Sequence, residues 1–264
     1  MKIGIFDSGL GGLTVARAIV DTMPAYDIIY FGDTARTPYG SKSRETVIQY
    51  ACENTELLIQ KGAELIVMAC NTAASVATDV LRKKYNLPIF EVITPAASLV
   101  ASFKTIRRVG IIGTRATINS NAYTEQIAKH RPDIKVYAIP CPLLVPLVEE
   151  GWIDKPETRM IVKKYLHPLK VRQIDTLILA CTHYPIIKPV IQKKIGRRVT
   201  VIDSAQAVAQ QLLHHFRDIN HICTNETQGN YQFYVSDITP HFEKIAQSIF
   251  KRKIPLAVAS SANF

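Results

Sequence analysis

Glu64-Leu65-Ile66-Val67-Met68-Ala69-Cys70-Asn71-Thr72-Ala73-Ala74 is an apolar run that closes on a small residue and a thiol, then passes through a polar pair into alanines. Four apolar residues bounded this way read as a buried strand, and Asn71-Thr72 ahead of Ala73, Ala74 and Ser75 as the start of a helix. The design returns far downstream, at Asp175-Thr176-Leu177-Ile178-Leu179-Ala180-Cys181-Thr182-His183-Tyr184-Pro185. Two thiols therefore stand at two equivalent strand ends.

Upstream of the first thiol, Lys2-Ile3-Gly4-Ile5-Phe6 reads as a buried strand running into Asp7-Ser8-Gly9-Leu10-Gly11-Gly12, and Asp27-Ile28-Ile29-Tyr30-Phe31 as a second. A long loop, Gly32 to Gly40, precedes a helix expected from about Arg44 to Lys61. Loops of that length often carry function. After Cys70 come a helix from Ala73 to Tyr85 and a short strand at Pro88-Ile89-Phe90-Glu91. This βαβ repetition implies a parallel sheet with crossover helices.

A boundary is expected around Thr94-Pro95, after which Arg107-Arg108-Val109-Gly110-Ile111-Ile112-Gly113-Thr114 restarts the pattern. It matches Val109 to Ile3, Gly110 to Gly4 and Thr114 to Ser8. Cys70 follows Gly4 by 66 positions and Cys181 follows Gly110 by 71, which suggests an internal duplication. The second half then reads as a strand at Ile134–Ala138, a proline-punctuated loop over 140–146, a helical turn over 147–151, and a helix near Glu157–Leu166. The Cys181 strand and Val199–Ile202 complete it, and Asp203-Ser204 caps a helix to Phe216. A late strand, Tyr231–Val235, and a helix, Pro240–Phe250, are expected to return to the first domain. The expected fold is α/β with two similar domains, each a mainly parallel sheet flanked by helices, and the active site in the cleft between them. Residues 1–95 with 208–264 form the first domain and 96–207 the second.

Length and composition narrow the class. The chain has 264 residues, 47% hydrophobic and 20% charged, as in an ordinary globular protein. No apolar run approaches a membrane span and the N-terminus enters a strand directly, so a cytoplasmic location is expected. Five cysteines (52, 70, 141, 181, 223) without a CxxC pair argue for free thiols rather than a disulfide framework or zinc ribbon. No metal site is read. The net charge of +10 raises the question of an acidic partner. Its Lys and Arg lie in short clusters that suit helix ends and solvated faces, and no finger or recognition-helix motif accompanies them. Nucleic acid, or an enzyme acting on it, is kept only as a secondary partner.

A cysteine at the end of an apolar strand is usually core packing. The pair changes that balance, because ligands bind outside the carboxyl ends of parallel strands and both thiols fall there. A helix after each would lower its pKa from about 8.5. Two similar bases facing one cleft suit a racemase, which removes a proton from one face of a carbon and returns one to the other. Asp7 and His183 are placed to handle the thiol protons. Taken alone, Asp7-Ser8 reads equally as a helix cap or Asx-turn. Glu149 or Glu150 could face the site, although exposed acids are common.

On Phe6-Asp7-Ser8-Gly9-Leu10-Gly11-Gly12-Leu13-Thr14-Val15, Gly32-Asp33 with Arg36 and Pro38-Tyr39-Gly40, Ala69-Cys70-Asn71-Thr72-Ala73, Leu147-Val148-Glu149, and Cys181-Thr182-His183-Tyr184-Pro185, the chain resembles the glutamate racemases. These motifs run collinearly from residue 3 to about 210. Ala180 stands where that family usually has Gly. The resemblance implies a cofactor-independent enzyme interconverting L- and D-glutamate for peptidoglycan synthesis in a bacterium. It implies Cys70 as the base for D-glutamate and Cys181 as the base for L-glutamate, with Asp7 and His183 as helpers and Glu149 as support. Asp7, Ser8, Tyr39, Gly40, Asn71, Thr72, Thr182 and His183 are the implied substrate-binding positions. A homodimer is the family expectation, and no activator-linked N-terminal extension is expected. The neighbouring reading is a racemase of aspartate or another amino acid on the same scaffold.

Overall fold

The computed structural model describes residues 1–221 and 228–259; Cys223 lies outside them. The first half runs β1 (Lys2–Asp7), α1 (Leu13–Thr22), β2 (Asp27–Gly32), α2 (Arg44–Gln60), β3 (Leu65–Met68), α3 (Asn71–Lys84), β4 (Ile89–Glu91) and α4 (Ile93–Ser102). The second runs β5 (Arg108–Gly113), α5 (Arg115–Asn119), α6 (Ala122–His130), β6 (Lys135–Pro140), α7 (Leu144–Glu149), α8 (Pro156–Val171), β7 (Thr176–Ala180), α9 (Lys188–Ile195), β8 (Thr200–Asp203) and α10 (Ser204–Asp218). β9 (Tyr231–Val235), α11 (Pro240–Phe250) and β10 (Leu256–Val258) complete it.

All strand pairs are parallel, in two sheets ordered β10-β9-β2-β1-β3-β4 and β6-β5-β7-β8. The stretch β2-β1-β3-β4 and the second sheet share one topology, so the echo in the sequence is an echo in space. The two matched glycines do the same work. A Cβ on Gly4 would lie 2.7 Å from Ala63 Cβ, and one on Gly110 would lie 2.6 Å from Ile174 Cδ1, each where the connection leading into the thiol-bearing strand packs on its neighbour. The late strand joins the first sheet beside β2, in the register Tyr30↔Phe233.

Several expectations are corrected. The boundary expected around Thr94-Pro95 falls within the first turn of α4, where Pro costs nothing and the buried Glu91 carboxylate accepts from Ile93 N (2.5 Å) and Thr94 N (2.9 Å). The supposed loop over 140–146 already contains the start of α7, with Pro146 within its first turn. α8 extends to Val171 past an internal Pro168. Cys181 is followed by a 3-10 turn, Tyr184–Ile187, and not by an α-helix, because Pro185 fits a tight turn and α9 begins only at Lys188. No described helix is long and apolar enough to cross a membrane.

Candidate active site

The carboxyl ends of β1, β3, β5 and β7 converge on the seam between the sheets. Asp7, at the end of β1, is wholly buried. Its Oδ2 accepts from Gly9 N (3.0 Å) and Gly12 N (2.9 Å), which forms the Asx-turn among the readings offered by the sequence. Its Oδ1 accepts from Thr182 Oγ1 (3.2 Å), a residue of the other half. Burial raises the Asp7 pKa above its ordinary value, against the His183 charge and these donors. Gly11 and Gly12 are dictated by this approach. A Cβ on Gly12 would lie 2.2 Å from Asp7 Cβ, and one on Gly11 would lie 2.5 Å from both His183 Nδ1 and Thr182 Oγ1.

Cys70 caps α3 and is 4% exposed; its Sγ donates to Ser8 Oγ at 3.5 Å. The expected lowering of this thiol's pKa does not occur. Burial, with the Asp7 charge adding to it, pushes Cys70 up to about 12, overcoming the Ser8 hydroxyl and the Ala73 N–H. Cys181, equally hidden, lies 3.8 Å from His183 Nδ1, and His183 Nε2 lies 3.1 Å from Glu149 Oε1. Burial opposes the charged imidazole. The hydrogen bonds and charges of Cys181 and Glu149 outweigh it, and the His183 pKa stands well above its usual value. Glu149 is the acid of the α7 pair that reaches the site, and it also accepts from Thr37 Oγ1 (3.3 Å). Glu150 is exposed.

Between the thiols is one cavity, lined by Ser8, Pro38, Tyr39, Gly40, Cys70, Asn71, Thr72, Thr114, Val145, Cys181, Thr182 and His183. Its volume of about 20 Å³ holds about one water. The structure brings together all the substrate positions read from the sequence except Asp7, which lies just behind Thr182. Tyr39 is 1% exposed and its hydroxyl is committed to Asp33 and to Asn54 Nδ2 (3.0 Å). Gly40 packs so tightly on the second half that a Cβ there would lie 2.5 Å from Thr114 Cβ.

Sequence reasoning missed two hydroxyls. Thr72 Oγ1 lies 2.9 Å from Thr114 Oγ1 and 3.3 Å from Thr117 Oγ1, which are 3.0 Å apart, forming a hydroxyl cluster across the seam. The sequence carries a signal for Thr114, which matches Ser8 in the repeat. Neither Arg nor Lys lines the cavity, so hydroxyls, an amide and backbone N–H groups are what it offers a carboxylate. Among the described residues no group of three or more His, Cys, Asp or Glu side chains is placed to hold a metal ion. The described cysteines are unpaired thiols.

Residues 3–212 match the model of the Asp/Glu/hydantoin racemases. The chain belongs to that family. A glutamate racemase from Syntrophus aciditrophicus is 42% identical to this racemase over 254 residues, covering 96% of this chain and 94% of its own. The crystal structure of the Francisella tularensis glutamate racemase in complex with D-glutamate superposes with a TM-score of 0.92 at 38% identity, over 100% of this chain and 98% of that one. The glutamate racemase isoform RacE1 of Bacillus anthracis gives 0.93 at 35% identity, over 98% and 97%. The resemblance read from the motifs holds, and the two-sheet α/β fold of this racemase is that of its relatives.

Proposed function

We propose that this racemase interconverts L- and D-glutamate by a two-thiol mechanism, carried by one observation: Cys70 and Cys181, from topologically equivalent strands of two sheets, line the same small cavity. In the direction of D-glutamate, the Cys181 thiolate takes the α-proton of L-glutamate and becomes a thiol, leaving the electron pair on the α-carbon. The Cys70 thiol then gives its proton to the opposite face and becomes the thiolate. The reverse direction exchanges the roles.

The resting protonation pattern suits the first direction. Burial keeps the Cys70 proton in place, ready to be given, while His183 carries a positive charge beside Cys181. Asp7 and His183 return the thiols to their starting states, and Glu149 holds the imidazole. The α-carbanion is stabilised by preorganised donors in a site that excludes water, among them the Thr72 and Thr114 hydroxyls and the Asn71 amide. A cavity of about 20 Å³ cannot admit an amino acid, so the two halves part to load substrate and close over it. The moving bodies are residues 1–95 with 208–264, and 96–207. α4 crosses position 95 and packs on both α6 and α10, which supports a hinge in that layer.

The family resemblance extends this reading to D-glutamate supply for peptidoglycan in the cytoplasm, by a homodimer. The test is racemisation followed by circular dichroism without added cofactor. Cys70→Ser and Cys181→Ser are each expected to abolish it while melting like wild type. Near wild-type turnover by either variant, or equal turnover of aspartate, would overturn the proposal.

A further inference from the structure

Tyr123 does not line the cavity, yet it is joined to a residue that does. It enters from α6 with 2% exposure, and its hydroxyl donates to Asn71 Oδ1 at 2.6 Å. Asn71 is itself 2% exposed at the start of α3, and its Nδ2 is buried without a hydrogen-bond partner. A buried amide N–H₂ with nothing to bond is costly, and such an atom beside a cavity marks a donor kept for a ligand.

An asparagine amide is nearly symmetric in shape, so which end faces the cavity depends on what holds the other end. We propose that Tyr123 is a positioning residue for racemisation: its hydroxyl holds the Asn71 oxygen and thereby presents the Asn71 nitrogen to a substrate carboxylate. The inference rests on the reading of this cavity as the glutamate site. The reverse arrangement would put a carbonyl oxygen against that carboxylate.

An amide oxygen can only accept, so the phenol is the donor in this bond. The Ser204 hydroxyl, at the start of α10, also hydrogen-bonds the phenol, and the Glu91 and Asp203 carboxylates act on it electrostatically. Burial first, then the Glu91 charge, keeps the phenol protonated far above its ordinary range, so Tyr123 has a proton to give and Asn71 Oδ1 is where it goes. A chain of donors thus runs from Ser204 through Tyr123 and Asn71 into the cavity, linking substrate recognition to α6 and α10.

Tyr123→Phe removes the hydroxyl and keeps the ring. Steady-state racemisation of both enantiomers is compared for wild type, Tyr123→Phe, Asn71→Ala and the double variant, with melting temperatures alongside. The expected result is an approximately tenfold rise in KM for both enantiomers in Tyr123→Phe, with a smaller fall in kcat, and no further rise when it is added to Asn71→Ala. An unchanged KM accompanied only by a lower melting temperature would show a structural role and overturn the inference. So would the same KM increase in both backgrounds, because Tyr123 would then not act through Asn71. A wild-type chain that fails to racemise glutamate overturns the underlying reading as well, and is told apart by the first assay of the series.

Discussion

Thr182 Oγ1 donates to Asp7 Oδ1 across 3.2 Å, joining the end of one sheet to the end of the other at a carboxylate that burial has already made basic. Thr14 Oγ1 also lies 3.2 Å from the Thr182 carbonyl oxygen. Under the proposed opening and closing, the seam and the protonation of Asp7 are coupled. Parting the halves removes a donor from Asp7 and admits water to it.

Gly11→Ala tests the closure. Its methyl group would lie 2.5 Å from Thr182 Oγ1 and His183 Nδ1 and 2.8 Å from the His183 backbone nitrogen. These neighbours belong to the opposite half, so the variant is expected to fold and melt near wild type but to close poorly. A fall in kcat of about 10²-fold is expected, read by the circular dichroism assay. Wild-type kcat would show that the seam has slack.

Asp7→Asn tests the buried carboxyl. The folded state holds the Asp7 proton more tightly than the unfolded chain, so the stability it contributes is full below the ordinary value of 3.8 and declines as pH rises through the raised value. The asparagine lacks this decline. Its oxygen takes the two glycine N–H bonds and its nitrogen donates to Thr182, and above that window it is expected to melt about 2–4 °C higher than wild type. Activity falls because Asp7 can no longer take up a proton. A melting difference independent of pH would show that the carboxyl's ionisation is not the cause.

His183→Asn is expected to lower kcat/KM by about 10²-fold. The two enantiomers have equal free energy in water, so the loss must be the same factor in both directions although His183 serves one thiol. In wild type the imidazole contributes stability below its ordinary value of 6.5 that is lost as pH rises through its raised value; the variant should lack that dependence. A variant with undiminished kcat/KM would remove His183 from the proton path.

Turnover in heavy water separates two bases from one. Starting from either enantiomer, solvent deuterium should appear early in the product and scarcely in recovered substrate. Equal early labelling of both would mean that a single thiol serves both faces.

The strands and both thiols were legible in the sequence because buried parallel strands are short apolar runs, and Leu65–Met68 and Thr176–Ala180 are such runs closed by Ala-Cys. The late strand Tyr231–Val235 was also legible from its β-branched and aromatic residues. β10, short and edge-placed, left no such pattern. Proline misled at Pro146, which reads as part of a loop but lies in the first turn of α7, where no N–H is needed. The Cys70 thiol was expected to be acidic from its place before a helix. Nothing local in the sequence showed that burial and Asp7 would reverse the sign. Thr117 and Tyr123 escaped notice for a similar reason, since helices α5 and α6 bring them to Thr72 and Asn71 only across the seam.

The shared strand order of the two sheets carries a constraint on stereochemistry. L-Amino acids cannot build a mirror image of their own fold, so a protein that handles a pair of mirror-image molecules by repeating a unit must face them with two copies of the same handedness. Such copies cannot treat the enantiomers as reflections of one another. In the proposed mechanism, a serine and an aspartate near one sulfur, and a histidine backed by a glutamate near the other, let a chiral scaffold serve a reaction that favours neither hand.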